Sequence, residues 1–381
     1  MPTISIADLR ERARARLPCA IFEYIDGGAT DEVTLAANRS AFQNLTFQPR
    51  CLADVSNCSQ RTTILGRELA SPLILGPIGV AGLAARQGEV AAAKAAWREK
   101  VGFTLSTLSI CSIEEVNHAG ASNFWFQLYV MRDRGLTKSL IERARSAKCG
   151  ALILTIDVPV QGTRERDIRN GLAVPPRITF RNALDMVQRL PWIVDVMLRG
   201  PRLTFGNFQT KEHILSGATF VAKLFDPTVT WKDIEHFKSV WGGPIVLKGI
   251  INPADAVIAA DHGIDALIVS NHGGRQLDGA GASIVALPGI VDAVGDRMEI
   301  IVDGGIRRGS DVVKCLALGA RACMIGRSFM YGLAAAGQAG VEKALQILKG
   351  EIDTTLRLLG ISDIHAVDRE AILFRRPSEF D

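Results

Sequence analysis

Eight short runs dominated by valine, isoleucine and leucine recur along the chain: PLILGPIGV (72–80), FTLSTL (103–108), FWFQLYV (124–130), ALILTIDVP (151–159), PIVLKGI (244–250), ALIVSNHG (266–273), EIIVDGGI (299–306) and ACMIGRSF (322–329). They are continuously apolar rather than alternating, which predicts strands covered on both faces, as in a parallel sheet. Helical stretches separate most of them: EVAAAKAAWREK, LTKSLIERARSA, WKDIEHFKSVW, PADAVIAADH and SDVVKCLAL. At three junctions a helix stops at a glycine and an apolar strand follows, which predicts left-handed caps at Gly150, Gly263 and Gly319. Eight such units predict an α/β chain folded as a (β/α)8 TIM barrel. A doubly wound open sheet is the alternative, but it would usually carry G-x-G-x-x-G after its first strand, and none stands there. Residues 1–71 lie outside the repeat as an N-terminal helical extension. Residues 160–243 form an insert after strand 4 that is too long for an ordinary connection. The whole chain, 1–381, reads as one domain.

Composition narrows the classes. With 381 residues, 48% hydrophobic and 22% charged, the chain can bury a large core. The formal charge of +4 is small, and the densest basic run, LRERARAR (9–16), reads as a solvated helix face, so no nucleic-acid partner is expected. Seven cysteines without a C-x-x-C pair suit free thiols in a reducing compartment, and we expect a cytoplasmic protein. The N-terminus lacks the apolar core of a signal peptide, and no apolar stretch approaches a membrane span.

The C-terminal ends of the runs are polar. In order they supply Pro77, Ile78 and Gly79; Ser106; Gln127 and Tyr129; Thr155 and Asp157; Lys248; Ser270 and His272; Asp303, Gly304, Gly305 and Arg307; Gly326 and Arg327. Any one of them could be a satisfied rim residue. Their joint placement on the face where barrels keep their chemistry predicts a site. IVDGGIRRGSD and MIGRS each place glycines and an arginine just before a helix, a pattern suited to a phosphate dianion. Nothing resembles a metal site. His118, His213, His236, His262 and His365 fall away from the strand ends and read as surface or packing residues.

SNHGGRQLDG (270–279), DGGIRRG, WFQLYV and YIDGGA together resemble the FMN-dependent L-2-hydroxy acid oxidising family, over nearly the whole chain from Phe22 to about residue 359. The resemblance implies FMN as cofactor and oxidation of a 2-hydroxy acid to a keto acid. His272 suits the base that removes the hydroxyl proton, because imidazole titrates near neutral pH. The resemblance further implies that Asp157 holds its other ring nitrogen. Arg275 and Arg164 would clamp the substrate carboxylate, and Tyr24 and Tyr129 would bind the carboxylate and hydroxyl sides. The glycines of the motif would let backbone and imidazole approach the flavin. A lysine closing the strand PIVLK is costly unless paired, and Lys248 would favour an anionic reduced flavin; a rim salt bridge is the bland alternative. Ser106, Gln127 and Thr155 would hydrogen-bond the flavin ring, Pro77, Ile78 and Gly79 would adjoin it, Asp303, Gly305, Arg307, Gly326 and Arg327 would hold ribityl and phosphate, and Ser270 and Gly304 complete the cofactor site.

Two features bear on the electron acceptor. The family's oxidases tend to have alanine where Gly79 stands, and its dehydrogenases glycine, so a quinone or other carrier is expected ahead of O2. The segment RNALDMVQRLPWIVDVMLRGPRL (181–203) mixes Leu184, Val187, Leu190, Trp192, Ile193, Val196, Met197 and Leu198 with Arg181, Arg189, Arg199 and Arg202. That suits an anchor on a membrane surface, and a lid packed on the barrel or on another subunit of a homo-oligomer is the alternative. Leu108 stands where glycolate oxidases carry tryptophan, which points to lactate or a bulkier acid such as mandelate, while Gln161 departs from an apolar pocket wall. An oxidase making peroxide and a non-oxidising FMN barrel isomerase remain as other readings; a barrel that binds FMN without catalysis is a further one.

Overall fold

In the computed structural model, which describes residues 2–120, 123–171, 180–201, 203–208 and 224–374, all eight apolar runs become strands of one closed parallel barrel. They are β1 (Leu73–Leu75), β2 (Gly102–Ser106), β3 (Trp125–Leu128), β4 (Leu152–Thr155), β5 (Ile245–Ile250), β6 (Ala266–Val269), β7 (Glu299–Asp303) and β8 (Ala322–Ile325). Neighbours follow chain order, and β8 closes on β1 through Cys323–Leu73 and Met324–Ile74. No open sheet forms from these eight strands.

Strand side chains alternate, and the alternation sorts the barrel into two cores. Ile74, Trp125, Ile153, Val246, Ile268, Ile301 and Met324 pack together inside. Leu73, Leu75, Phe126, Leu154, Leu247 and Val269 pack outward with the helices. The position two residues beyond each inner residue points inward again, and there the chain turns polar or to glycine: Gly76, Gln127, Thr155, Lys248, Ser270, Asp303 and Gly326. On β2 the same place belongs to Ser106, because Thr104 pairs in register with Trp125. Register also sets Ser106 beside Gln127 and Thr155 beside Lys248. This inward layer is the floor of the site.

The expected helices form at Gly88–Arg98, Arg134–Ser146, Ile234–Trp241, Pro253–Asp261 and Gly309–Ala317. Asp133 and Asn252 cap two of them by accepting backbone N–H bonds at the first turn. Gly263 and Gly319 take the left-handed conformation (φ 61° and 99°). Gly150 does not: Lys148 carries the left-handed turn at φ 55°, and Gly150 is required because a Cβ there would lie 2.0 Å from Asn123 Oδ1.

The N-terminal extension is helical only in its first half, through α1 (Ile6–Arg16), α2 (Cys19–Asp26) and α3 (Val33–Ser40). α1 buries Ile6, Leu9 and Ala13 and exposes Arg12 and Arg14, but its basic face is not wholly solvated as expected, because Arg10 pairs with Asp26 and Arg16 with Asp195. Residues after Asn44 form strands instead. Leu45–Phe47 pairs with Ile372–Phe374, and Thr62–Ile64 turns back on Arg67–Leu69 through Leu65 and Gly66, both at positive φ. That hairpin puts Ile64 and Leu69 into the inner cluster and so closes the N-terminal mouth of the barrel.

The described parts of the insert dock on α1 and α2. Trp192 is buried and its indole donates to the Leu83 carbonyl (2.8 Å), Asp195 pairs with Arg16 (2.5 Å), and Asp185 accepts the Cys19 N–H (2.6 Å). Trp192 and Val196 therefore face the protein and are not available to a membrane. Leu184, Val187, Leu190, Met197 and Leu198 stay exposed. Arg202, His213 and the Arg181 side chain lie outside the described residues. Among those described, no helix is long and apolar enough to cross a membrane. All seven cysteines are free thiols.

Candidate active site

His272 follows β6 and lines the cleft at the C-terminal mouth. Its Nδ1 lies 2.9 Å from Asp157 Oδ1, and its Nε2 lies 3.5 Å from the Tyr129 hydroxyl. A carboxylate partner fixes the proton on Nδ1 and leaves a lone pair on Nε2. Burial pushes the imidazole below its ordinary pKa, Asp157 pulls the other way, and Lys248 and Arg164 side with burial. His272 is thus neutral and basic at neutral pH. Burial disfavours ionised Asp157, yet the hydrogen-bonded His272 and the Lys248 charge hold it below the usual carboxylate range. Asp157 needs room, and Gly249 supplies it at the β5 bulge, where a Cβ would stand 2.6 Å from Asp157 Cβ. Burial, then the Asp157 charge, raises the Tyr129 phenol, which stays protonated.

Lys248 is only 4% exposed. Its Nζ donates to Ser270 Oγ (2.8 Å) and pairs with Asp303 Oδ2 (3.1 Å). Burial opposes its charge, but Asp303 and then Asp157 outweigh that and raise it. Ser270 Oγ also accepts the His272 N–H (3.0 Å). Ser270, Gln127 and Asp157 thus stand behind the cleft, where Ser270 orients Lys248 and His272 and Gln127 accepts from Ser106 Oγ (3.1 Å). Gln127 Nε2, Thr155 Oγ1, Asp303 Oδ1 and Arg164 Nε are buried with no partner among the described residues. Buried polar atoms are rarely left so. Three of these residues line the cleft and Gln127 stands behind it, which marks the edge of a polar ligand.

Arg275 Nη1 donates to the carbonyls of Tyr24 (2.7 Å) and Gly27 (2.8 Å), and its guanidinium lies over the Tyr24 ring. Burial, then the neighbouring Arg164, lowers it to about 10. It remains a cation, and Asp167 supplies nearby negative charge. Asp167 lies 4.0 Å from Arg164, but burial raises its own pKa. Two arginines and one reluctant carboxylate leave a place for an anion.

The other end of the cleft is built by β7 and β8. Gly304 and Gly305 are left-handed (φ 100° and 78°), and Gly326 precedes a helical segment, Arg327–Leu359, kinked at Ala336 and Gly337, with no side chain capping its first turn. Arg327 departs from the expected simple phosphate ligand, since its guanidinium donates to the carbonyls of Ile25 (3.0 Å), Gly273 (3.0 Å) and Gly27 (2.7 Å). It seats the extension on the catalytic loop while contributing charge. Burial, with Arg275 and Arg307 beside it, lowers it to about 9. Open helix N–H groups and cations short of negative charge suit a phosphate.

All the remaining expected residues, from Pro77 to Gly326, line this one cleft, and so do Leu108 and Gln161. Within SNHGGRQLDG, Gly274 is also required by packing, since a Cβ there would lie 2.6 Å from Leu35 N of α3. His118, His236 and His365 are exposed and His262 half-buried, all outside the cleft. Sequence reasoning missed Asp167, three residues after Arg164, and the apolar walls Phe205 and Phe225 contributed by the insert. It also missed Glu89, a buried carboxyl whose Oε1 accepts the N–H groups of Gly82 (3.2 Å) and Ile110 (3.0 Å), joining the loops after β1 and β2.

A sequence model described as FMN-dependent dehydrogenase matches residues 13–374. An L-lactate dehydrogenase of Caulobacter sp. (strain K31) is 43% identical over 372 residues, covering 97% of this chain and 98% of that one. An L-lactate dehydrogenase of Haemophilus influenzae (strain PittEE) is 44% identical over 373 residues, with the same coverage. Among solved structures, a monotopic membrane protein, (S)-mandelate dehydrogenase, superposes with a TM-score of 0.94 at 34% identity, covering 98% of this chain and all of that one. A soluble mutant of the membrane-associated (S)-mandelate dehydrogenase from Pseudomonas putida superposes at 0.84, with the same identity and coverage.

Proposed function

The chain belongs to the FMN-dependent dehydrogenase family, and from that premise we propose that it oxidises L-lactate, or a bulkier L-2-hydroxy acid such as mandelate, at the cleft of His272. The residues present fit the cofactor. The unpartnered polar atoms of Gln127, Thr155 and Asp303, with Lys248, suit the polar edge and ribityl of FMN, and Arg307, Arg327 and the open helix end suit its phosphate. When bound, FMN would supply the acceptor for the Cα hydrogen and its bonding electron pair, and from it the electrons would go on to a carrier.

The protein's own part is orientation and proton movement. Arg275 and Arg164 bind the carboxylate, with Tyr24 beside them, and so present the hydroxyl to His272. Nε2 of His272 accepts the hydroxyl proton, and Asp157 stabilises the imidazolium that results. Tyr129, protonated and 3.5 Å from Nε2, donates to the substrate oxygen. The observation that carries this reading is the Asp157–His272 bond, which leaves a neutral base facing two arginines short of an anion.

A quinone in the cytoplasmic membrane, met at its inner face, is the acceptor we propose. The insert supports it by exposing Leu184, Val187, Leu190, Met197 and Leu198 on one docked segment, a feature that marks interaction surfaces. Its similarity to a mandelate dehydrogenase described as a monotopic membrane protein supports the same reading. Flavin absorbance should bleach with L-lactate or L-mandelate under nitrogen. In air a quinone analogue should be reduced faster than peroxide appears; the reverse order would make the protein an oxidase. The protein should float with anionic vesicles, and a Leu190→Ser, Leu198→Ser double variant should not. Flotation that the double variant leaves intact would remove the anchor.

A further inference from the structure

We propose that Asn38, on α3 of the N-terminal extension, is a positioning residue that holds the catalytic loop of His272 in its left-handed backbone and seats the β7 glycine loop against it. This inference rests on the reading of His272 as the base. Asn38 and Asn271 are 233 positions apart and form a reciprocal pair, each amide nitrogen donating to the other's oxygen at 2.9 Å. Three backbone groups settle which atom is which. Asn271 Oδ1 also accepts the Gly274 N–H (3.2 Å), Asn271 Nδ2 also donates to the Gly281 carbonyl (2.9 Å), and Asn38 Oδ1 also accepts the Ser283 N–H (3.3 Å). A flipped amide would set donor against donor. Both residues are buried, at 2% and 6% exposure.

The loop they hold is unusual. His272 has φ 57°, a conformation that side chains other than glycine rarely adopt and that persists only where surroundings impose it. The Asn271 side chain closes the turn 271–274 around it, and Asn38 fixes the Asn271 side chain. On its other flank Asn38 abuts the β7 loop: a Cβ on Gly305 would lie 1.9 Å from the Asn38 carbonyl oxygen, and one on Gly304 would lie 3.4 Å from Asn38 Oδ1. Asn38 thus holds the loop of the base through its side chain and lies against the loop at the phosphate end chiefly through its backbone carbonyl. α3 is tethered to the same segment a second way, because Asp278 accepts the N–H groups of Thr34 (2.8 Å) and Val33 (3.3 Å).

Asn38→Asp isolates the effect. The new carboxylate still accepts from Asn271 Nδ2 and Ser283, but it sets an oxygen against Asn271 Oδ1 where a donor stood. Asp278→Asn is the comparison, since it weakens the tether of α3 without touching the amide pair. For Asn38→Asp we expect kcat to fall about tenfold or more, the scale of one lost hydrogen bond to a placed group. The acidic limb of the kcat/KM profile should move to lower pH, because a displaced His272 loses the influence of Asp157. FMN should dissociate several-fold faster, followed by recovery of flavin fluorescence. Asp278→Asn should lower the melting temperature and leave the pH profile in place. If Asn38→Asp matches Asp278→Asn in all three readouts, Asn38 is only a structural residue and the inference is overturned. Should the aspartate variant fail to fold, Asn38→Ser, which removes both amide bonds without adding charge, is read by the same three criteria. His272→Gln separates the two layers: an active glutamine variant removes the base reading itself, whereas an inactive one beside an unaltered Asn38→Asp removes only this inference.

Discussion

Replacing Asp157 with asparagine changes one charge at the centre of the site and little else. Its Oδ1 lies 2.9 Å from His272 Nδ1, and Gly249 leaves space for an isosteric amide. When the imidazole takes the substrate proton, the carboxylate is the group that balances the new cation in a pocket already holding Lys248 and Arg164. A hydrogen bond to a charged partner contributes about 1.5–3 kcal/mol. At about 1.4 kcal/mol per decade, that corresponds to roughly a 10- to 150-fold loss in kcat. KM should change far less, because the carboxylate clamp is elsewhere. The pH profile gives a second check with a definite sign. Burial lowers the pKa of His272 and Asp157 raises it, so the asparagine variant should lose activity at a lower pH than the parent on acidification. Steady-state kinetics with an artificial electron acceptor from pH 4.5 to about 9, a window around the ordinary histidine value, would measure both. An unchanged kcat, or an acidic limb that moves upward, would refute the assignment of His272 and Asp157 as base and stabiliser.

Two further outcomes follow from the same geometry. Arg275→Lys keeps the charge but cannot both satisfy the Tyr24 and Gly27 carbonyls and grip a carboxylate; kcat/KM should fall by about 10- to 100-fold, mostly through KM, and a KM within twofold of the parent would count against the clamp. Glu89 is fully buried and burial raises its pKa, so its contribution to stability is complete below the unfolded value near 4.5 and is lost as pH rises through the folded one. Glu89→Gln keeps an acceptor for Gly82 and Ile110, and its melting temperature should gain on the parent's as pH increases; a gap that narrows toward neutral pH would contradict the assignment.

The eight strands, their order and the polar inward layer were legible without coordinates. A strand repeats every two residues, so once Ile153, Val246, Ile268 and Ile301 are inside, Thr155, Lys248, Ser270 and Asp303 must be inside too, at the end where barrels work. That His272, Arg164 and Arg275 share one cleft, with Asp157 on the ring of His272, was expected from the family resemblance and not from periodicity; their roles are what we propose. The second half of the N-terminal extension was not. Ile64 and Leu69 form a hairpin because the open barrel mouth needs apolar side chains, a demand made by residues far away in sequence. Other features escaped for the same reason. Trp192 turned out to pack on Leu83 and not outward, Arg327 to bind the carbonyls of Ile25, Gly27 and Gly273, and Gly150 to clear Asn123 and not to cap a helix. The chain by itself determined which residues face inward at each strand end, since that depends only on local periodicity. Which distant segment meets them, as Asn38 meets Asn271 across 233 positions, was decided by closure of the barrel, which alone brings such segments within hydrogen-bonding distance.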